Sequence, residues 1–123
     1  MKSLITTLLL AITLSLSAHA DDFSDALAAY EKGDYKTALK LWKPLAEQGA
    51  ANAQYNLGVM YLNGQGVPED KVFAYMWWDL AAANGIENAS KNKGIIAKRM
   101  TSSQIAEAQK LSRECLKNNY KNC

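Results

Sequence analysis

The chain repeats itself, and this internal repeat restricts the possible folds more than any other feature of the sequence. Tyr30 and Gly33 recur 31 residues later as Tyr61 and Gly64. After these glycines the spacing is 36 residues. The matched pairs are Ala38 and Ala74, Trp42 and Trp78, Ala46 and Ala82, Gly49 and Gly85, Asn52 and Asn88, Ala53 and Ala89, Asn56 and Asn92, and Gly58 and Gly94. A period in the mid-thirties is typical of stacked helical hairpins, which bury a continuous core only when several units lie side by side.

Apolar residues at helical spacing support this interpretation. In residues 52–63, one face of the predicted helix carries Ala53, Leu57, Met60 and Tyr61. Gly58 lies in the middle of the same helix, where it costs about 1 kcal/mol relative to alanine. A glycine in that position predicts the close approach of a neighbouring helix.

Capping residues and turn glycines set the expected bounds of six helices. Pro68 suits a first helical turn and Gly85 a C-terminal stop, which predicts one helix over residues 69–84. Thr101 and Gln104 match a capping box, so the last helix is expected to begin there and to run to about residue 117. The other helices are expected over 24–32, 34–48, 52–63 and 87–99. The expected fold is all-α, an α/α solenoid of about three helical hairpins, with units near 24–49, 51–85 and 86–119 and no strand.

Residues 1–20 are predicted to be a secretory signal peptide. A short cationic start is followed by an apolar run from Leu4 to Leu16 and by Ala18-His19-Ala20, which matches the small-residue pattern of a cleavage site. The apolar run is too short to cross a bilayer of about 30 Å as a helix. We therefore expect cleavage before Asp21, no integral membrane segment afterwards, and a single domain over 21–123 that is periplasmic or secreted.

The composition of this exported part excludes several classes of chemistry. Without Lys2, the 14 basic residues of the chain become 13 against 12 acidic ones, a net charge of +1 that argues against nucleic acid as a partner. His19 is the only histidine, so cleavage leaves none for a Ser-His-Asp or Cys-His nucleophile or for a histidine-ligated metal. We expect no cofactor, no metal ion and no catalysis, and a monomeric chain.

Export permits a disulfide between Cys115 and Cys123. Eight residues of unbroken helix span about 12 Å, whereas bridged Cα atoms lie within about 7 Å of each other. The pairing therefore requires the helix to end between the two cysteines. Asn118 and Asn119 suit such a break, because asparagine tolerates the left-handed conformation. Pairing between two chains and free thiols are the alternatives.

A second stripe on the helix over 52–63 lies opposite its buried side, and it carries Asn52, Tyr55, Val59 and Leu62, with Asn63 beside them. In solenoids of helical hairpins, the first helix of each unit lines the concave surface. A half-apolar stripe there predicts a groove for a peptide or protein, with Tyr55, Val59 and Leu62 as anchors and Asn52 and Asn63 as polar groups that orient the ligand. The alternative is that this stripe packs against the neighbouring unit.

Residues 53–85 resemble the Sel1-like repeat, a repeat of the tetratricopeptide type. Ala53 to Asp70 reads AQYNLGVMYLNGQGVPED and follows the signature A-x-x-x-L-G-x-x-Y-x-x-G-x-G-V-x-x-D. Ala74 to Gly85 reads AYMWWDLAAANG, which is similar to the second helix of the repeat, A-x-x-W-Y-x-x-A-A-x-x-G. The flanking units match in part. The resemblance implies an α/α solenoid that makes protein–protein contacts as an adaptor or scaffold.

A cysteine-rich branch of this family binds or hydrolyses β-lactams, which is the alternative function that the resemblance implies. Its cysteines are spaced by eight residues, as Cys115 and Cys123 are. In addition, Ser90 and Lys93 form the S-x-x-K pattern of penicillin-recognising enzymes. A pattern with two fixed letters arises often, so a polar helix face with a solvated lysine is the simpler interpretation.

Overall fold

The computed structural model describes residues 21–123, which form six α-helices and no strand. The helices are α1 (residues 21–31), α2 (Tyr35–Glu47), α3 (Ala51–Asn63), α4 (Lys71–Ala83), α5 (Glu87–Ala97) and α6 (Ser102–Lys117). The expected all-α solenoid of helical repeats is confirmed. The predicted signal peptide lies outside the described residues, and within residues 21–123 no helix is long and apolar enough to cross a membrane.

The helix α4 lies at the centre of the core. It packs against α3, α5 and α6, whereas α2 packs against α3. Seven of its 13 residues are buried, and its only charged residues are Lys71 and Asp79. A helix that is apolar on nearly every side is suited to burial between several neighbours. The third unit is therefore held mainly through α4, against which both of its helices pack.

The mid-helix glycine of α3 allows the close approach that the sequence predicts. The indole ring of Trp78 lies directly on Gly58, so that a Cβ at this position would come within 3.0 Å of three atoms of the ring. The indole Nε1 donates a hydrogen bond to the backbone carbonyl oxygen of Tyr55, at 3.0 Å. Ala53, Leu57 and Met60 on the predicted core face of α3 are fully buried.

Aspartate side chains cap the N-terminus of the second helix in each of the first two units. Asp34 accepts a hydrogen bond from the backbone N–H of Thr37 at 3.3 Å, and Asp70 accepts one from that of Phe73 at 3.1 Å. The expected start of the fourth helix at residue 69 is therefore wrong. Because the Asp70 carboxylate caps the first turn, the helix begins at Lys71, and Pro68 lies in the preceding loop. The capping box of Thr101 and Gln104 is confirmed.

The C-terminal tail connects the last helix to the first two units. α6 ends at Lys117, Asn119 adopts a φ of +53°, and Cys115 and Cys123 form a disulfide with a Cα–Cα distance of 5.4 Å. The loop between the cysteines places the ring of Tyr120 against Gly49. The Tyr120 hydroxyl accepts a hydrogen bond from Asn84 at 3.2 Å. The loop therefore contacts the turns that end α2 and α4.

Candidate functional site

The five residues of the predicted stripe on α3 differ in their burial. Tyr55, Val59 and Leu62 are half-buried, whereas Asn52 and Asn63 are exposed. We call the side of the molecule formed by α1, α3 and α5 the first-helix face, because each of these is the first helix of its unit. Two hollows lie on this face, one on each side of α3.

We number the two hollows in the order of the helices that form them. The second hollow lies between α3 and α5 and has a volume of about 250 Å³. Trp78 of α4 contributes to its lining, and the remaining lining residues are Val59, Leu62, Asn92, Ile95 and Ile96. Five of these six side chains are apolar, and Asn92 supplies the amide group. The hollow can therefore accept an apolar side chain beside one hydrogen-bonding group.

The first hollow repeats this arrangement one unit earlier. It has a volume of about 100 Å³ and lies between α1 and α3, where it is lined by Leu27, Tyr30, Trp42, Asn56 and Val59. Trp42, Asn56 and Val59 precede Trp78, Asn92 and Ile95 by 36 residues. The same three repeat positions thus line both hollows, and Val59 is shared between them.

Tyr55 has a structural role in addition to its predicted role as an anchor. Its ring lies 6.4 Å from that of Trp78, measured between centroids, and its hydroxyl accepts a hydrogen bond from Asn92 at 3.2 Å. The stripe therefore combines features of both alternatives: Tyr55 contacts the neighbouring unit through its hydrogen bond with Asn92, while Val59 and Leu62 line a hollow. That these residues bind a partner stays a prediction.

Two exposed apolar residues extend the face beyond α3. Leu27 on α1 is 41% exposed and Ile95 on α5 is 57% exposed, and each lines one of the hollows. The prediction from the sequence omitted both. The repeat itself contained the signal for Ile95, because this residue follows Val59 by 36 positions. Asn52 and Asn63 line neither hollow.

No charged side chain among the described residues lines either hollow. The Lys93 ammonium is 2.8 Å from a carboxylate oxygen of Asp79, and Ser90 is exposed. Burial raises the pKa of Tyr61, with a further contribution from the charge of Asp70. Hydrogen bonds from Thr37 lower the pKa of Asp34. None of these groups lines a hollow, and residues 21–123 contain no cluster of side chains suited to a metal ion.

Other surface depressions have less of the character of a binding site. One of about 510 Å³ runs along α2 between lysines, and every described residue that lines it belongs to that one helix. A depression of about 160 Å³ lies beside the disulfide, between α4 and α6. The two hollows of the first-helix face are distinguished by lining residues from three helices each and by their repetition.

Comparisons with known proteins agree with this architecture. Residues 26–49 and 51–86, which cover the first two helix pairs from the middle of α1 onward, match the model of the Sel1 repeat. Over 82 residues the chain is 28% identical to an exopolysaccharide production negative regulator of Rhizobium leguminosarum bv. viciae, a match that covers 67% of this chain and 31% of that protein.

A solved structure shows the same fold. A protective antigen present in uropathogenic Escherichia coli strains, which displays an SLR fold, superposes with a TM-score of 0.73 at 29% sequence identity. This match covers 83% of the chain and 24% of the antigen. The chain therefore spans less than a third of the length of either protein.

Proposed function

Because this chain belongs to the Sel1-like repeat family, whose helical repeats serve protein–protein contacts, we propose that it is an exported interaction module that binds a protein or peptide on its first-helix face. The observation that carries the proposal is the pair of hollows, each lined by a tryptophan, an asparagine and a β-branched residue at equivalent repeat positions. A surface that offers the same lining twice suits a partner that inserts two side chains.

Exposure of Leu27 and Ile95 supports this choice of surface. Only three large apolar residues are exposed in residues 21–123, and two of them line the hollows. Because each side chain is already about half buried, covering its exposed part against a partner contributes about 0.6–1.7 kcal/mol. Single exposed apolar residues are ordinary, but their position on a shared face with Val59 and Leu62 is typical of an interaction site.

The spacing of the hollows suggests the shape of the bound segment. Neighbouring packed helices lie about 8–10 Å apart, so side chains that enter the two hollows are separated by about 10 Å. A polyproline II segment, which has three residues per turn, places residues three apart on one face at about 9 Å, close to this separation. Asn56 and Asn92 lie beside the two hollows and supply amide groups for the polar backbone of such a segment.

Binding without catalysis fits the polar groups near the face. In the alternative function, a β-lactam enzyme, Lys93 would take a proton from the Ser90 hydroxyl or polarise it. The Lys93 ammonium is instead held in an ion pair with the carboxylate of Asp79, at 2.8 Å. The disulfide between Cys115 and Cys123 is compatible with the proposed export to the periplasm or out of the cell.

The experiment uses two exposed positions on the face and a matched control. Leu27→Ser and Ile95→Ser each remove an exposed apolar side chain, and Leu116→Ser removes a similarly exposed one (47%) from α6, away from the face. The oxidised protein and its variants are immobilised, and proteins from an extract of the encoding cells are identified by mass spectrometry. We expect at least a tenfold loss of partner capture with Leu27→Ser and Ile95→Ser and none with Leu116→Ser.

Circular dichroism and melting temperature provide the check on folding. All three variants should keep the helical signal, because the substituted side chains are exposed. Tyr55→Ala is a weaker test, since Tyr55 also packs on Trp78. Equal capture by the three serine variants and the unchanged protein would exclude the first-helix face as the binding surface.

A further inference from the structure

The first-helix face carries opposite charges at its two edges. Residues 21–31, which form α1, contain four acidic residues and no basic one. The 13 residues of α3 contain no charged side chain. Residues 87–99, which include α5, contain one acidic and four basic residues. The face is therefore acidic along α1 and neutral along α3. Within α5, Lys91 and Lys93 pair with Glu87 and Asp79. The basic groups of this edge are therefore Lys98 and Arg99, just beyond the end of the helix.

The repeat aligns individual charges across the face. Glu31, Leu62 and Lys98 occupy equivalent positions, at spacings of 31 and 36 residues, and so lie at a similar height along their helices. The second hollow supports this register for α3 and α5, because Val59 and Ile95, which are spaced by 36 residues, both line it. At this height the order across the face is acidic, apolar, basic.

This order of charges is self-complementary. A two-fold axis that runs along α3 in the plane of the interface places α1 of one copy opposite α5 of the other. Because equivalent positions share one height, Glu31 of each copy then faces Lys98 of the other, so the contact occurs twice. The uncharged α3 of one copy faces the α3 of the other. An apolar centre with a charged rim, related by a two-fold axis, is the usual anatomy of a homodimer interface.

We infer that the first-helix face binds a second copy of this chain, with the α1 edge of each copy against the α5 edge of the other. This inference rests on the proposed function and names a partner for the same surface. A face three helices wide and 13 residues long measures about 30 by 20 Å, comparable with the area of roughly 800 Å² that each partner buries in an interface of standard size. The inferred dimer differs from the monomer that the sequence analysis expects. That expectation does not use the order of the three helices across the face, which only the structure provides.

Charge reversals at the two edges test the arrangement. The protein is produced from its full sequence, kept oxidised, and studied by sedimentation velocity over a range of concentrations in 50 mM salt. We expect a reversible dimer whose dissociation constant rises about tenfold with Glu31→Lys or with Lys98→Glu, because each substitution places like charges together at two symmetric contacts. Lys110→Glu makes the same charge change on α6 and should leave the dimer unchanged.

Mixing the two weakened variants gives the decisive result. In a heterodimer of Glu31→Lys with Lys98→Glu, both edge contacts again join opposite charges, so the mixture should dimerise about as well as the unchanged protein. A dimer that ignores both reversals, a mixture that fails to recover, or a protein that stays monomeric at 1 mM would overturn the inference. Partner capture that depends on Leu27 and Ile95 in a monomeric protein would leave the proposed function intact, with a different chain as the partner.

Discussion

The first two repeat units each bury a tryptophan at the same repeat position, but the two side chains are packed differently. Trp42 and Trp78 occupy equivalent positions and are each 1% exposed. Trp78 lies against the backbone of α3 and donates its indole N–H to the carbonyl oxygen of Tyr55. Trp42 instead packs against the rings of Phe23 and Tyr30, at centroid distances of 5.9 and 5.5 Å, and its indole nitrogen has no hydrogen-bond acceptor among the described residues.

One position on the facing helix accounts for the difference. Leu27 of α1 is the repeat equivalent of Gly58, 31 residues earlier. Since any Cβ at position 58 would come within 3.0 Å of the Trp78 ring, the side chain of Leu27 excludes Trp42 from the equivalent position. The repeat therefore sets where a tryptophan is buried, and the residue opposite it decides whether two helices meet through backbone contact or through aromatic packing.

Gly58→Ala should have the largest effect, because it forces the second unit toward the arrangement of the first. Overpacking costs about 1–3 kcal/mol and the lost indole hydrogen bond about 1 kcal/mol, while the better helix propensity of alanine offsets about 1 kcal/mol. We expect a net loss of about 2 kcal/mol, which corresponds to a melting temperature lower by about 10 °C in a domain of this size. Thermal and urea denaturation measure it.

Gly94→Ala is the matched control for this substitution. Gly94 occupies the equivalent position on α5, and a Cβ there would have no atom within 4 Å. Only the helix-propensity gain applies, so this variant should be more stable by about 0.5–1 kcal/mol. The same sign of change in both variants would mean that the contact of Gly58 with Trp78 does not limit the second unit.

Replacing each tryptophan by phenylalanine should lower the stability of the protein by different amounts. Both Trp78→Phe and Trp42→Phe leave a cavity, but only Trp78→Phe removes a hydrogen bond, whereas Trp42→Phe removes a buried N–H that has no acceptor. We expect Trp78→Phe to be less stable than Trp42→Phe by about 1–2 kcal/mol in urea denaturation. Equal losses would indicate that cavity formation alone determines the cost at both sites.

Much of this architecture follows from spacing in the sequence. The repeat period, the helical stripe of α3 and the capping box at Thr101 define six helices, because each depends on residues that are close along the chain. The glycine at position 58 predicts a close contact for a similar reason. The helices that surround Trp42 are equally well defined by the sequence, although α1 lacks such a glycine. The packing of the Trp42 ring depends on Phe23 and Tyr30, and no local pattern specifies which rings meet.

The candidate site is less accessible to sequence reasoning, because it belongs to three helices at once. Val59 and Leu62 are identified from the outer stripe of one helix, but Leu27 and Ile95 come from the two neighbouring units, and only the packing of the helices brings all four onto one face. The double role of Tyr55 depends on the positions of Asn92 and Trp78, which lie on two other helices. Similarly, Pro68 alone does not locate the start of α4, because the Asp70 carboxylate decides where the helix begins.

The repeated tyrosines extend the comparison to alkaline pH, where we expect the smallest effect. Tyr61 stacks on Phe73 at 5.3 Å, whereas its equivalent Tyr30 donates its hydroxyl proton to Gln65. Burial, with the charge of Asp70, raises the pKa of Tyr61 above its ordinary value of 10.0. The unfolded chain therefore loses this proton at a lower pH than the folded one, so the contribution of Tyr61 is complete below pH 10 and declines as the pH rises through the folded-state pKa. Denaturation between pH 9 and 12 should show a smaller fall in stability for Tyr61→Phe than for the unchanged protein, and identical pH profiles would mean that the ionised ring is solvated in the fold as well as it is in the unfolded chain.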